Sequence, residues 1–132
     1  MSLYLDASAI IYSVESVAPF RDTVLGRLSQ LFATEGLLLT SRLSRLECRV
    51  KPLREAQNQL LAIYDEFFVG ELVQVIEIGP EIVELATELR VRYGFKTPDA
   101  IHLATAIDQR ANVFLTGDRA LSRCTELRVE VL

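Results

Sequence analysis

Histidine is almost missing from this chain. His102 stands alone, and the two cysteines, Cys48 and Cys124, lie far apart with no C-x-x-C spacing. A zinc site draws on closely spaced Cys and His ligands, and no such pattern exists here. With a single His and no G-x-S-x-G run, a serine nucleophile activated by histidine is not expected. Neither G-x-x-x-x-G-K-[ST] nor G-x-G-x-x-G occurs, which weakens the ATPase, GTPase and dinucleotide-enzyme readings. No apolar run reaches the length of a membrane span. The start, MSLYLDASAII, has no basic n-region, so no signal peptide is expected. The cysteines are therefore read as free thiols of a cytoplasmic protein. Repeats, low-complexity stretches and linkers are absent as well.

What is present is apolar. Half of the 132 residues are hydrophobic and the net charge is only −4. That excludes disorder and gives one domain, over 1–132, with a substantial core. The mild negative charge argues against a broad, non-specific DNA-binding surface. It leaves room for a local basic patch.

Short apolar runs alternate with helical patterns along the chain. LYLD (3–6) reads as a buried strand, followed by a brief helix through SAIIYSVE. Phe20, Val24, Leu28, Leu31 and Phe32 have helical spacing over 20–33. Gly36 ends that helix and LLLT (37–40) is the next strand. Ser41 caps a helix through about Val50, Pro52 interrupts, and another helix runs from about 54 to 68. LVQVIEI (72–78) holds a third strand, and a helix follows from Gly79–Pro80 to Gly94. The next helix spans about 97–110, with Thr97 as N-cap and Pro98 at N1; VFLT (113–116), a short helix at RALSRC and a last strand near LRVEVL complete the chain. Strands apolar on both faces need helices on both sides. The expected fold is an α/β arrangement, a parallel sheet covered by helices.

In such a sheet the carboxyl ends of the strands line the functional crevice. Asp6 ends the first strand and Asp118 follows the FLT strand by two residues. Each is also a natural helix cap or Asx-turn residue. Asp99 lies in the first turn of a helix that is apolar on nearly every face, where a carboxylate favours the helix dipole. Glu47 is a different case. At about 100° per residue it falls roughly 40° from Leu43, inside a stripe formed with Leu46 and Val50. An acid on an apolar face needs a counter-charge, either a boundary salt bridge or a metal. His102, one turn after Asp99, reads as a packed, hydrogen-bonded residue at the edge of this region.

Clustered carboxylates repel one another unless a cation compensates them. Oxygen ligands suit Mg²⁺ or Mn²⁺, and Mg²⁺ held by carboxylates serves phosphoryl chemistry. A phosphoaspartyl transferase would carry a second Asp two residues beyond Asp6; Ser8 stands there, so direct metal-dependent hydrolysis is favoured. Arg42, Arg45, Arg49, Lys51 and Arg54 gather positive charge around the Glu47 helix. They offer contacts to a nucleic-acid backbone or to an acidic protein segment, unless they form an ordinary solvated face.

LYLDASAII, SRLECR, KTPDAIHLATAI and FLTGDRAL together resemble a PIN-domain ribonuclease, the toxin of VapBC-type toxin–antitoxin pairs. The resemblance covers essentially the whole chain. It implies a three-layer α/β/α PIN-like fold around a mainly parallel sheet, and Mg²⁺- or Mn²⁺-dependent cleavage of RNA, with Asp6, Glu47, Asp99 and Asp118 as the acidic set. It implies that Thr116 supports the site through its hydroxyl and that Ser8 is the small polar residue beside the first acid. It also implies a homodimer and a neutralising antitoxin. The family often has T-N-D where this chain has Thr116–Gly117–Asp118. Two other readings stay open: a metal-dependent nuclease or phosphatase outside a toxin–antitoxin pair, and a non-catalytic nucleic-acid or protein-binding module.

Overall fold

The computed structural model describes residues 1–132. Five short strands form one sheet: β1 (Ser2–Leu5), β2 (Leu37–Ser41), β3 (Val73–Ile76), β4 (Val113–Thr116) and β5 (Val129–Val131). Their order is β3-β2-β1-β4-β5, and every pairing is parallel. The chain therefore winds outward from β1 to β3, then returns to start again at β4 beside β1. Leu5 pairs with Leu115, so the ends of β1 and β4 lie side by side where the winding direction reverses. That reversal opens the crevice which a parallel sheet offers at its carboxyl edge.

Six α-helices cover the two faces: α1 (Ala7–Val14), α2 (Phe20–Ala33), α3 (Arg42–Arg54), α4 (Asn58–Val69), α5 (Pro80–Tyr93) and α6 (Thr97–Asp108). A 3₁₀ turn, Arg119–Arg123, joins β4 to β5. Strand alternation divides the core in two. Leu3, Leu5 and Leu115 point to the side packed by Ile10, Val24, Leu31, Cys48, Tyr64 and Phe68 from α1 to α4. Tyr4 and Phe114 point to the other side, against Leu89, Leu103 and Ala104 of α5 and α6. This is the three-layer α/β/α arrangement. α6 is buried along most of its length, as its apolar sequence requires. α5 ends where Gly94 takes a left-handed conformation (φ 73°) and donates its N–H to the Arg90 carbonyl at 2.8 Å.

Three local expectations are corrected. α3 does not stop before Pro52; it runs through it to Arg54, and the next helix starts at Asn58. The proline costs one ladder hydrogen bond, but its ring is buried and the helix ends two residues later. The Leu43–Leu46–Val50 stripe is not the core face of α3. Leu46 and Val50 are 58% and 46% exposed, whereas Ser44 and Cys48 are buried. Small side chains let α3 approach the sheet closely, and Thr40 binds both the Leu5 carbonyl (2.8 Å) and Ser44 Oγ (2.7 Å). Finally, α6 begins one residue earlier than expected. Lys96 is its N-cap, without a side-chain capping bond, and Thr97 is already helical.

Candidate active site

Asp6 leaves β1 at the reversal point and is buried. One carboxylate oxygen, Oδ1, accepts the Ala9 amide at 3.1 Å and the Ser8 hydroxyl at 2.6 Å. The other, Oδ2, accepts the Thr116 hydroxyl at 2.5 Å. Capping is thus real, since Asp6 is the N-cap of α1, but it uses only one oxygen. Thr116 Oγ1 in turn accepts the Asp118 amide at 3.0 Å, and Ser8 Oγ accepts the Gly117 amide at 2.9 Å. These bonds tie the turn after β1 to the turn after β4, so the two acids cannot drift apart. Asp118 is exposed and caps the following 3₁₀ turn, with Ala120 N–H at 2.9 Å from Oδ1.

Gly117 occupies a tight place. A Cβ there would meet the Tyr12 ring at 2.5 Å and its hydroxyl at 2.8 Å. Tyr12 is itself stacked on Phe20, with ring centroids 4.6 Å apart. A side chain at position 117 would have to displace this aromatic pair.

Asp99 is half-buried in the first turn of α6 and has no hydrogen-bond partner in the protein. Its pKa is raised, first by burial, then by the charge of Asp118; Asp6 and Glu47 add to the rise, and His102 opposes it. The four sequence-selected acids therefore share one electrostatic environment, although no three of them stand together as a preformed cation cage. The donor set is all oxygen and carries excess negative charge around Asp99. Both properties fit a hard divalent cation, which would hold Asp99 ionised.

The raised pKa has a consequence for stability. The folded protein holds the Asp99 proton to higher pH than the unfolded chain, so ionised Asp99 destabilises the fold above its folded pKa. The penalty vanishes below the ordinary carboxylate pKa. Asp99→Asn is expected to raise the melting temperature at pH 7, in metal-free buffer, by on the order of 2 °C after solvent screening. The gain should disappear as pH is lowered into the acid range. An unchanged or lower melting temperature at pH 7 would contradict this account.

Glu47 lies on α3, half-buried, and its only hydrogen-bond partner is His102, with Nε2 at 2.5 Å from Oε1. His102 is buried, and its Nδ1 meets the Tyr4 hydroxyl at 2.7 Å. His102 is packed and hydrogen-bonded, as its sequence position suggests; that its partner is Glu47, and that Tyr4 stands behind it, is what sequence reasoning misses. Both carried a usable signal. Tyr4 is two residues before Asp6 and shares its strand face, and His102 is one turn beyond Asp99 on the same helix.

The basic residues divide. Arg42 pairs with Glu77 at 2.5 Å, and Arg45 and Arg49 both approach Asp65 of α4, at 3.3 and 2.7 Å. Lys51 and Arg54 are exposed and form no ion pair in the protein. Both thiols are free and buried. Burial pushes the Cys48 thiol well up and the Cys124 thiol up to about 11, which makes both unreactive.

Comparison with known proteins follows the same line. The PIN domain family matches residues 3–127. Among solved structures, VapBC2 from Rickettsia felis bound to a promoter DNA fragment is similar at 18% identity and TM-score 0.82, covering 99% of this chain and 98% of that one. DNA-bound VapBC from Salmonella typhimurium is similar at 15% identity and TM-score 0.76, covering 99% and 98%. VapC20 of Mycobacterium tuberculosis, a sarcin–ricin loop cleaving toxin, is similar at 17% identity and TM-score 0.72, covering 96% and 98%. Identities this low establish the shared fold. Among curated proteins, none matches.

Proposed function

The chain belongs to the PIN domain family, and from that premise we propose that it is a divalent-metal-dependent endoribonuclease of the VapC toxin type. The observation that carries the reading is the placing of Asp6 and Asp118 at the adjoining ends of β1 and β4, tied together through Ser8 and Thr116, with the unpartnered Asp99 close enough to feel their charges and that of Glu47. These four would hold Mg²⁺ or Mn²⁺, which when bound activates water and stabilises the charge that develops on the phosphate.

The rest falls to the chain's own residues. Ser8 and Thr116 fix Asp6 with one hydroxyl on each carboxylate oxygen. Thr116 also fixes the backbone of Asp118. Asp99, unpartnered, is the acid most in need of a counter-charge. Lys51 and Arg54, free of internal ion pairs, are better placed to meet an RNA backbone than Arg42, Arg45 and Arg49, which must first give up their carboxylates.

The VapBC likeness supports an antitoxin as protein partner. The exposed Leu46, Val50 and Leu53 on α3 support a protein–protein contact on that face, which we assign to a homodimer. The two buried free thiols fit a cytoplasmic setting.

The test is a side-by-side assay of purified protein on structured RNA, single-stranded DNA and a chromogenic phosphate ester. Cleavage of RNA alone is expected, in Mg²⁺ or Mn²⁺, abolished by a chelator. Hydrolysis of the ester or of DNA in preference to RNA would replace this reading with a different metal-dependent hydrolase. Silence on all three substrates, with no Mn²⁺ binding, would point to a binding module.

A further inference from the structure

Glu47 and His102 come from opposite layers of the sandwich. α3 packs on one face of the sheet and α6 on the other, yet the two side chains meet at 2.5 Å. Behind His102 stands Tyr4, fully buried, on the central strand. We propose that His102, backed by Tyr4, is a positioning residue. It holds Oε1 of Glu47 and so sets how the other carboxylate oxygen is presented to a divalent cation. The proposal rests on the metal-dependent reading above.

The hydrogen-bond directions support a fixed chain. The Tyr4 phenol is fully buried and brings one O–H donor to the contact. An ionised carboxylate only accepts, so the Glu47 contact calls for a hydrogen on Nε2, and in that neutral tautomer Nδ1 accepts from the phenol. Nε2–H then donates to the Glu47 carboxylate. Both ring nitrogens are engaged, at 2.7 and 2.5 Å, so turning the ring over would forfeit both bonds. Tyr4 is locked in its turn: it stacks on Phe114 at 5.1 Å and meets the imidazole edge-on at 5.9 Å.

Glu47 needs such an anchor. Its side chain is 30% exposed and makes no other hydrogen bond in the protein. A free glutamate samples many rotamers and must be ordered when it binds a cation. Holding one oxygen in advance removes part of that cost, as outer hydrogen bonds to metal-binding carboxylates do. Asp6 receives the equivalent service from Ser8 and Thr116. Without His102, Glu47 would be the one anchorless acid on a side chain long enough to swing away from the crevice.

The experiment measures Mn²⁺ affinity by calorimetry on RNA-free protein, with circular dichroism and thermal melting as checks on folding. His102→Leu keeps bulk but removes both polar contacts, and is expected to weaken Mn²⁺ binding about 10–100-fold. His102→Gln retains an N–H donor at the end of the side chain and should recover most of the loss. Tyr4→Phe should cost a few-fold. In a Glu47→Gln background, His102→Leu should change Mn²⁺ binding no further, because the residue acts through Glu47. If His102→Leu binds Mn²⁺ like the wild type, the positioning role is wrong and the metal-dependent reading survives. If it weakens binding equally with and without Glu47, the effect is general damage and the proposal fails. A wild type that binds no Mn²⁺ would remove the metal-dependent reading and this proposal together.

Discussion

Asp6→Asn should slow RNA cleavage by about a thousand-fold while leaving the protein folded. Removing a carboxylate that holds the metal forfeits several kcal/mol of transition-state stabilisation, and about 1.4 kcal/mol corresponds to one decade in rate. The substitution is otherwise gentle. Asn is as good an N-cap as Asp, so the Ala9 amide keeps its acceptor. Its Oδ1 can still take the Ser8 hydroxyl, and the Thr116 hydroxyl can reverse and accept from the new amide. A stability loss of about 1 kcal/mol is the expected ceiling. Single-turnover cleavage in saturating Mn²⁺, beside a melting curve, decides the matter. A rate within tenfold of the wild type would take Asp6 out of the site. A mutant that no longer melts cooperatively would show that Asp6 is chiefly a structural cap.

Phe114→Ala should lower stability by about 3–5 kcal/mol, the usual range for deleting a buried aromatic ring. Phe114 is fully buried in β4 and stacked almost flat on Tyr4, with an interplanar angle of 9°. It lies one residue before Leu115 and two before Thr116, so the ring packs directly beneath the strand end that carries the site. Domains of this size are stable by only about 5–15 kcal/mol, so a large part of the total would go. The melting temperature should fall by on the order of 10–20 °C. Denaturant unfolding of both proteins gives the difference directly. A loss below about 1 kcal/mol would mean that the core on this side repacks without the ring. Because Tyr4 backs His102, the mutant should also bind Mn²⁺ more weakly under conditions where it remains folded.

Much of this molecule is legible in its order of residues. Alternating apolar runs and helical spacings lead to a parallel sheet between two helical layers, and the sheet is parallel throughout. Asp6 and Asp118 could each be placed just after a strand because strand boundaries are local features; that the two strands are neighbours came from the sheet order. Gly94 stops α5 because a left-handed residue is needed there, and α6 is buried because it offers no polar face. Periodicity failed on α3. Two stripes compete on that helix, one of large apolar residues and one of small ones, and period alone does not say which faces the sheet. The small side chains Ser44 and Cys48 face it, since they allow the closest approach and Ser44 finds Thr40.

The partner of Glu47 was decided only by the tertiary structure. His102 is 55 residues away, on a helix across the sheet, and Tyr4 lies 98 residues from His102. The basic residues behave alike, since Arg45 and Arg49 look free along α3 until α4 brings Asp65 against them. Backbone conformation follows from near neighbours, so capping acids, turns and strand ends can be read in sequence. A hydrogen-bond partner follows from how layers pack, and packing is a property of the whole chain.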